Sequence, residues 1–419
     1  MSSLILAIGL AGVLASDPKP TNASDPIQRW VDLADSLHPE ARSARDELLA
    51  AQEDIRASRA WMPPNSQFLY KTDGTRELSL TQMIPAFGKT GSLEQVANRR
   101  VEMVRADSGE RLRKLGLAVR EAAWMEWMAW AKIKIFAEQE SLSVRLAASS
   151  RRLQAQGMAT ASEAWLAEAK VRQTRIEADR ARAEATSATA MRQSWTGPGE
   201  RSEAGPPRAP DWNDSALSQA SRTRTDIQTM NRDASMQEAM GQAMRNGLRP
   251  DFMVGGMVMQ MPNGMPGWGV MAGMTLPFVP WARGMQEGSA GGALARSRAI
   301  QGKAQTMERM ARAEVADHAA KAHAAWNALL EIDSLLPAQE RAVADAGSRY
   351  AQGREMLTMV LQMEDMATMT RMEAVMRRGE YELERARLYA AAALPMSSSS
   401  NRAIKPVADQ TTMSTDGTR

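Results

Sequence analysis

The chain states one plan twice. Residues 76–89, RELSLTQMIPAFGK, alternate apolar and polar residues up to a Pro/Gly corner, and a long charged helical tract follows. Residues 269–281, GVMAGMTLPFVPW, open a second copy of that arrangement. Each tract then reaches the same tripeptide, Ala155-Gln156-Gly157 in the first half and Ala351-Gln352-Gly353 in the second. Pro85 and Gly157 are 72 residues apart, and Pro277 and Gly353 are 76 apart. Duplication at such a period restricts the fold to repeated supersecondary units before any single residue is considered.

Composition narrows the kind of unit. Only 5% of the 419 residues are aromatic, and Ala, Arg, Glu and Met dominate the middle of the chain. That mixture, with helical periodicity, is typical of long helices and coiled coils rather than compact domains. The formal net charge is +3, with basic and acidic residues interspersed. Such a surface is a solvated helix face and not a nucleic-acid footprint, so no nucleic-acid partner is expected. Cysteine is absent, which excludes disulfides, thiolate metal sites and thiol catalysis. His318 and His323 are five residues apart in a helical tract, about 140° around its axis, so they do not converge as ligands. No nucleophile–base pair, phosphate loop or His/carboxylate set stands at a useful spacing, which makes the chain a non-enzyme without a cofactor.

Residues 1–15 carry an apolar run, Leu4–Leu14, too short to span a bilayer as a helix and followed by small residues. It reads as a signal peptide, although a basic leading region is missing. Residues 25–196 form the first structural repeat: a helical stretch restarted at His38-Pro39, a β-hairpin over 65–84 turning near Asp73-Gly74, a very long helix, a tip turn near 157 and a returning helix. Residues 197–214 are a Pro/Gly linker. Residues 215–394 repeat the plan, with one helix over 215–246, a β-hairpin within 252–277 (strands near 253–261 and 268–276), a long helix, a tip turn near 353 and a last helix. The Ser-rich 395–419 reads as a disordered tail. The fold class is therefore α+β, mostly α: long antiparallel helical hairpins plus two β-hairpins, with an internal two-fold repeat. Four strands cannot close a barrel, and open strand edges are not tolerated in lipid, so membrane insertion would require other copies.

This plan resembles the TolC-like outer-membrane efflux proteins over roughly residues 27–394. The likeness rests on Gln82-Met-Ile-Pro-Ala-Phe-Gly-Lys89, on Thr275-Leu-Pro-Phe278 and on the two Gln-Gly turns. The first is similar to a Gln-x-x-Pro-x-x-Gly-Lys corner of the heavy-metal branch. The resemblance implies a homotrimer in outer-membrane lipid, with twelve strands forming a β-barrel and twelve helical strands a periplasmic tunnel. It also implies contact at the tips, here Gln156, Gly157, Gln352 and Gly353, with a periplasmic adaptor and an inner-membrane RND transporter. The function it implies is the exit duct of a tripartite efflux system. Drug efflux, type I secretion and a periplasmic scaffold that never inserts remain alternatives. The chain departs from the family in a short first hairpin, whose strands at Gln67–Tyr70 and Glu77–Met83 fall below the roughly 9–11 residues a bilayer requires. It lacks the N-terminal cysteine that anchors many metal-efflux relatives. Where well-known members narrow the duct with aspartates, it has Met359 and Gln362, with Glu364 and Asp365 just beyond.

Methionine is the compositional anomaly, at 31 residues. Met253, Met257, Met259 and Met261 alternate along the second-half strand, and Met265, Met271 and Met274 follow. Met356, Met359, Met363 and Met366 keep a 3-4-3 spacing, read as a coiled-coil seam, and the stripe continues, shifted, through Met369, Met372 and Met376. Methionine can replace leucine as a flexible core filler. It can also supply thioethers, soft ligands that select Cu(I) or Ag(I). On the second reading Met253, Met257, Met259, Met261, Met356, Met359 and Met363 would handle such ions in transit. Trp124, Trp127 and Trp130 are expected to pack between helices near mid-length against the linker, and Trp268 and Trp281 to mark a membrane interface.

Overall fold

A computed structural model describes residues 27–394 apart from 73, 86–87, 200, 202–206, 261–263, 265 and 278, and leaves the side chains of 280–282 undescribed. The expected signal peptide and tail, with Met261 and Met265, lie outside the described residues. Helices α1 (Gln28–Leu37) and α2 (Pro39–Arg59) precede strands β1 (Asn65–Tyr70) and β2 (Arg76–Ile84). Helices α3 (Lys89–Ala155) and α4 (Ala161–Thr196) complete the first repeat. The second comprises α5 (Asp214–Ala220), α6 (Thr225–Asn246), β3 (Phe252–Gln260), β4 (Pro266–Met274), α7 (Pro280–Ala351) and α8 (Leu357–Ala391).

Helix α3, at 67 residues, is about 100 Å long, and the 72-residue α7 is slightly longer. Two shorter helices share the length of each. Antiparallel α2 lies along the sheet-proximal half of α3, tied by Arg59–Glu94, Asp54–Arg100 and Glu47–Arg111. Beyond its end α4 takes over toward the tip, through Lys132–Glu184, Glu140–Arg175 and Arg151–Glu168. In the second repeat α6 and α8 divide α7 in the same way. These pairs are mostly exposed, so they set helix register more than they add stability. Alanine supplies much of the buried surface, including Ala167, Ala178, Ala181 and Ala185 on α4, which lets the helix axes approach closely.

At mid-length the packing is denser. Arg192 and Glu126 form a 2.6 Å ion pair with both side chains buried, and the Arg192 guanidinium lies 4.3 Å from the Trp30 ring centroid. Trp124 is buried beside Ile27 and meets Trp127 edge-on. Trp130 donates to Thr189 and lies under Arg201 of the linker, while Trp127 lies under Arg378 of α8, so it is Trp130 of the three that meets the linker.

Several boundaries depart from expectation. The single helix expected over 215–246 is broken: a 3-10 turn at Ser221–Thr223 and an extended Arg224 separate α5 from α6. The Arg224 side chain accounts for the break, because it turns back to pair with Asp226 and Glu314. Strands β3 and β4 begin one and two residues earlier than expected, at Phe252 and Pro266.

Candidate functional site: a two-faced sheet, paired tips and a methionine-lined helix

The two hairpins join into one antiparallel sheet of order β1-β2-β3-β4, so β1 and β4 are its edges. Register decides what each face carries. Phe68, Leu78, Val258 and Trp268 lie abreast, as do Leu80, Gly256 and Val270, and Ile84, Phe252 and Met274. This face is mainly apolar, with Ser66, Arg76, Gln82 and Gln260 as its polar members, and Trp268 and Val270 are 83% and 78% exposed on it. The opposite face aligns Gln67, Ser79 and Met257, then Glu77 and Met259, then Asn65, Thr81 and Met271. Met253 shares it. A single strand could not reveal which face is which, since both faces of β3 are apolar; the polar partners on β1 and β2 separate them. Trp268 stands on the apolar face, and Trp281 has no described side chain. On β4, glycines leave room for thioethers: a Cβ at Gly269 would lie 3.2 Å from Met257 Cγ, and one at Gly273 3.1 Å from Met253 Cε.

Strand β2 has nine residues, longer than the sequence reading allowed, and β3 and β4 also have nine. Only β1, with six, falls short of a bilayer-spanning strand.

The Gln82–Lys89 corner has a structural meaning. Gln82 donates its side-chain amide to the Met62 carbonyl at 2.8 Å. Gly88 has φ +91°, and the Arg249 guanidinium occupies the space a Cβ would need, 2.7 Å away. Lys89 reaches Asp251 at 2.6 Å. The corner after the first hairpin is thereby locked to the entry of the second.

At the far end both tips close by the same turn. Gly157 (φ +71°) and Gly353 (φ +70°) hold the left-handed position. Met158 N–H donates to the Leu153 carbonyl and Gly157 N–H to Gln154; Arg354 and Gly353 repeat this with Arg349 and Tyr350. These are two Schellman turns, with Gln156 and Gln352 as the capping residues. Arg152 donates to the Ala351 carbonyl at 3.0 Å, so the two tips touch. Helix α4 then restarts with a capping box between Thr160 and Glu163.

The expected methionine seam on α8 is not the stripe that packs within the chain. The residues that pack are Leu357, Val360, Leu361, Glu364, Ala367 and Thr368, one position displaced and about 100° around the helix. Met356, Met359 and Met366 are exposed, while Met363 flanks the tip core of Leu146, Leu153 and Tyr350. Both stripes follow 3-4 spacing; leucine, valine and alanine take the interior because they pack without losing the rotamer freedom methionine would lose.

The residues nominated for an aperture divide accordingly. Met359 and Gln362 are exposed, and Asp365 pairs with Lys170 of α4. Glu364 points inward, 2% exposed, with neither carboxylate oxygen hydrogen-bonded. Burial, aided by Asp365 and opposed by Lys170 and Arg371, pushes its carboxyl up to about 7. Glu364 is therefore buried within the chain rather than presented as a surface charge. Its seam position, three residues after Leu361 and three before Ala367, was the signal in the sequence. Among the described residues no three His, Cys, Asp or Glu side chains converge as metal ligands.

No protein-family model and no curated protein matches the chain. Solved structures do. CusC, studied for the conformational changes of folding and transmembrane channel formation, superposes with a TM-score of 0.74 at 15% identity, covering 89% of this chain and 93% of CusC. The Campylobacter jejuni CmeC outer membrane channel gives 0.74 at 12% identity, covering 90% and 88%. The Neisseria gonorrhoeae MtrE outer membrane channel, in its open state, gives 0.68 at 17%, covering 89% and 90%. At these identities the likeness is one of fold. The chain has the TolC-like channel fold: long helical hairpins and a small four-stranded antiparallel sheet.

Proposed function

We propose that this chain is one subunit of a homotrimeric exit duct in the bacterial outer membrane, serving a tripartite RND-type system that exports Cu(I) or Ag(I). The observation that carries the duct is the sheet: one face mainly apolar, the other polar and methionine-bearing, both edges open, at the end of helices about 100 Å long. Open edges cannot face lipid, and three copies would supply twelve strands, an even number able to close a barrel. The apolar face would meet outer-membrane lipid and the methionine face the lumen. The helices would form a periplasmic tunnel whose tips, at Gln156-Gly157 and Gln352-Gly353, meet a periplasmic adaptor and, with it, an inner-membrane transporter. Transport then needs no chemistry in this chain.

The cargo assignment rests on the thioethers of Met253, Met257 and Met259, aligned on the face assigned to the lumen, and on exposed Met356 and Met359, with Met363 beside the tip core. Soft sulfur donors favour monovalent copper and silver over hard ions. Tolerance of a deletion strain, with and without a plasmid copy, tests this across silver, copper, zinc, cobalt and bulky drugs. Selective, complemented sensitivity to silver and copper is expected; sensitivity to drugs alone would make the chain a drug-efflux duct. The six-residue β1 favours one other reading, a periplasmic scaffold that does not insert. Recovery of the protein as a soluble monomer would support the scaffold, and a detergent-extracted trimer the duct.

A further inference from the structure

A cleft of about 1050 Å³ runs along α8 where it faces the α3/α4 hairpin. Met369, Met372 and Met376 of α8 line it, and Met128 of α3 enters from the opposite wall. On a helix, positions i, i+3 and i+7 fall on one side, so the three α8 thioethers form a row. Met128 is held at the end of that row by a missing side chain. A Cβ at Gly379 would lie 2.0 Å from Met128 Sδ, so the sulfur rests on the α8 backbone one turn beyond Met376. Glycine in a helix interior is unfavourable by roughly 1 kcal/mol relative to alanine, and here it admits a sulfur atom.

Two further observations suit a cation. Met369 and Met376 are 73% and 56% exposed, so most of each side chain is left uncovered within the chain. The lining also carries five carboxylates (Glu177, Asp365, Glu373, Glu380 and Glu384) against three basic side chains, of which Lys170 pairs with Asp365, Arg377 with Glu373 and Glu380, and Arg387 with Glu384, so the lining keeps an acidic excess. An acidic rim raises the local concentration of cations, and thioethers along the walls select the soft ones.

We propose that Met128, Met372 and Met376 form a binding site for a soft monovalent cation, Cu(I) or Ag(I), with Met369 at its mouth. The site is separate from the methionines of the sheet. It extends the reading of the chain as a metal exit duct by placing a second station within the helical tunnel.

The test uses the full chain purified in detergent, with M253L, M257L, M259L, M271L, M356L, M359L and M363L already in place to silence the sheet and the tip end of α8. Ag(I) bound at equilibrium dialysis is counted by mass spectrometry before and after adding M372L and M376L. Loss of one Ag(I) per chain, or at least a tenfold weaker affinity, is expected. Unchanged stoichiometry and affinity would overturn the site and make these methionines a contact surface for a neighbouring copy. If the added pair prevents assembly, X-ray absorption of the Cu(I)-loaded parent decides: sulfur ligation supports the site, and a nitrogen/oxygen shell overturns it. Both readouts are independent of cargo in the cell. A strain sensitive only to drugs would remove metal export as the function and leave the binding result standing.

Discussion

Lys89 Nζ lies 2.6 Å from an Asp251 carboxylate oxygen, joining the first residue of one long helix to the residue before the second repeat's first strand. Both side chains are largely buried, and 162 residues separate them in sequence. This contact, with Arg249 packed over Gly88, fixes how the two hairpins leave the helices and so lets β2 pair with β3. A charged hydrogen bond of this kind contributes roughly 1.5–3 kcal/mol. Asp251→Ala is expected to lower the thermal midpoint of the purified protein, and Lys89→Met with Asp251→Leu to recover part of the loss. Equal stability of Asp251→Ala and the parent would show that the corner is held by other contacts.

The tips are predicted to differ in their tolerance of substitution. Gly157 and Gly353 both have positive φ, which costs a non-glycine residue roughly 1–2 kcal/mol. A Cβ at Gly157 would meet nothing, whereas one at Gly353 would lie 2.6 Å from Met158 Cε. Because that methyl ends a flexible side chain, it can move aside, but only by leaving the other tip. Gly353→Val is therefore expected to disrupt adaptor crosslinking more than Gly157→Val, with both variants still extracted as trimers. Undiminished crosslinking in Gly353→Val would remove the paired tips from the adaptor contact.

Glu364 predicts a pH dependence. Its carboxyl titrates near 7 in the folded chain and at an ordinary 4.5 when unfolded. The folded state therefore keeps a proton that the unfolded state has already lost. The stability this contributes is complete below about pH 4.5, shrinks as pH rises and is gone above about 7, a change of roughly 3 kcal/mol. Glu364→Gln, neutral at every pH, should melt higher than the parent at pH 8 and show a flatter midpoint between pH 5 and 8. Parallel profiles would mean that water or a neighbouring copy satisfies the carboxylate.

Much of the fold was legible because its signals are local and repeated. The duplicated corner, the Gln-Gly turns and the His38-Pro39 restart each encode backbone geometry within a few residues. The faces of β3 were not legible, since alternation says which residues stand together and not what lies across from them; Ser79 beside Met257 supplies that information only once register exists. On α8 two stripes of similar spacing competed, and periodicity alone could not rank methionine against leucine and valine. The break at Arg224 depends on Glu314, 90 residues away, and no local pattern carries it.

The central claim is that the apolar face of the sheet meets lipid and the methionine face meets a lumen. The chain contains no cysteine, so a single introduced thiol can be labelled without background. Val258→Cys and Val270→Cys on one face, and Met257→Cys and Ser79→Cys on the other, would each carry an environment-sensitive fluorophore in reconstituted bilayers containing brominated lipid. Strong quenching at Val258 and Val270, with little at Met257 and Ser79, is the predicted result. Equal quenching on both faces, or the reverse order, would contradict the account.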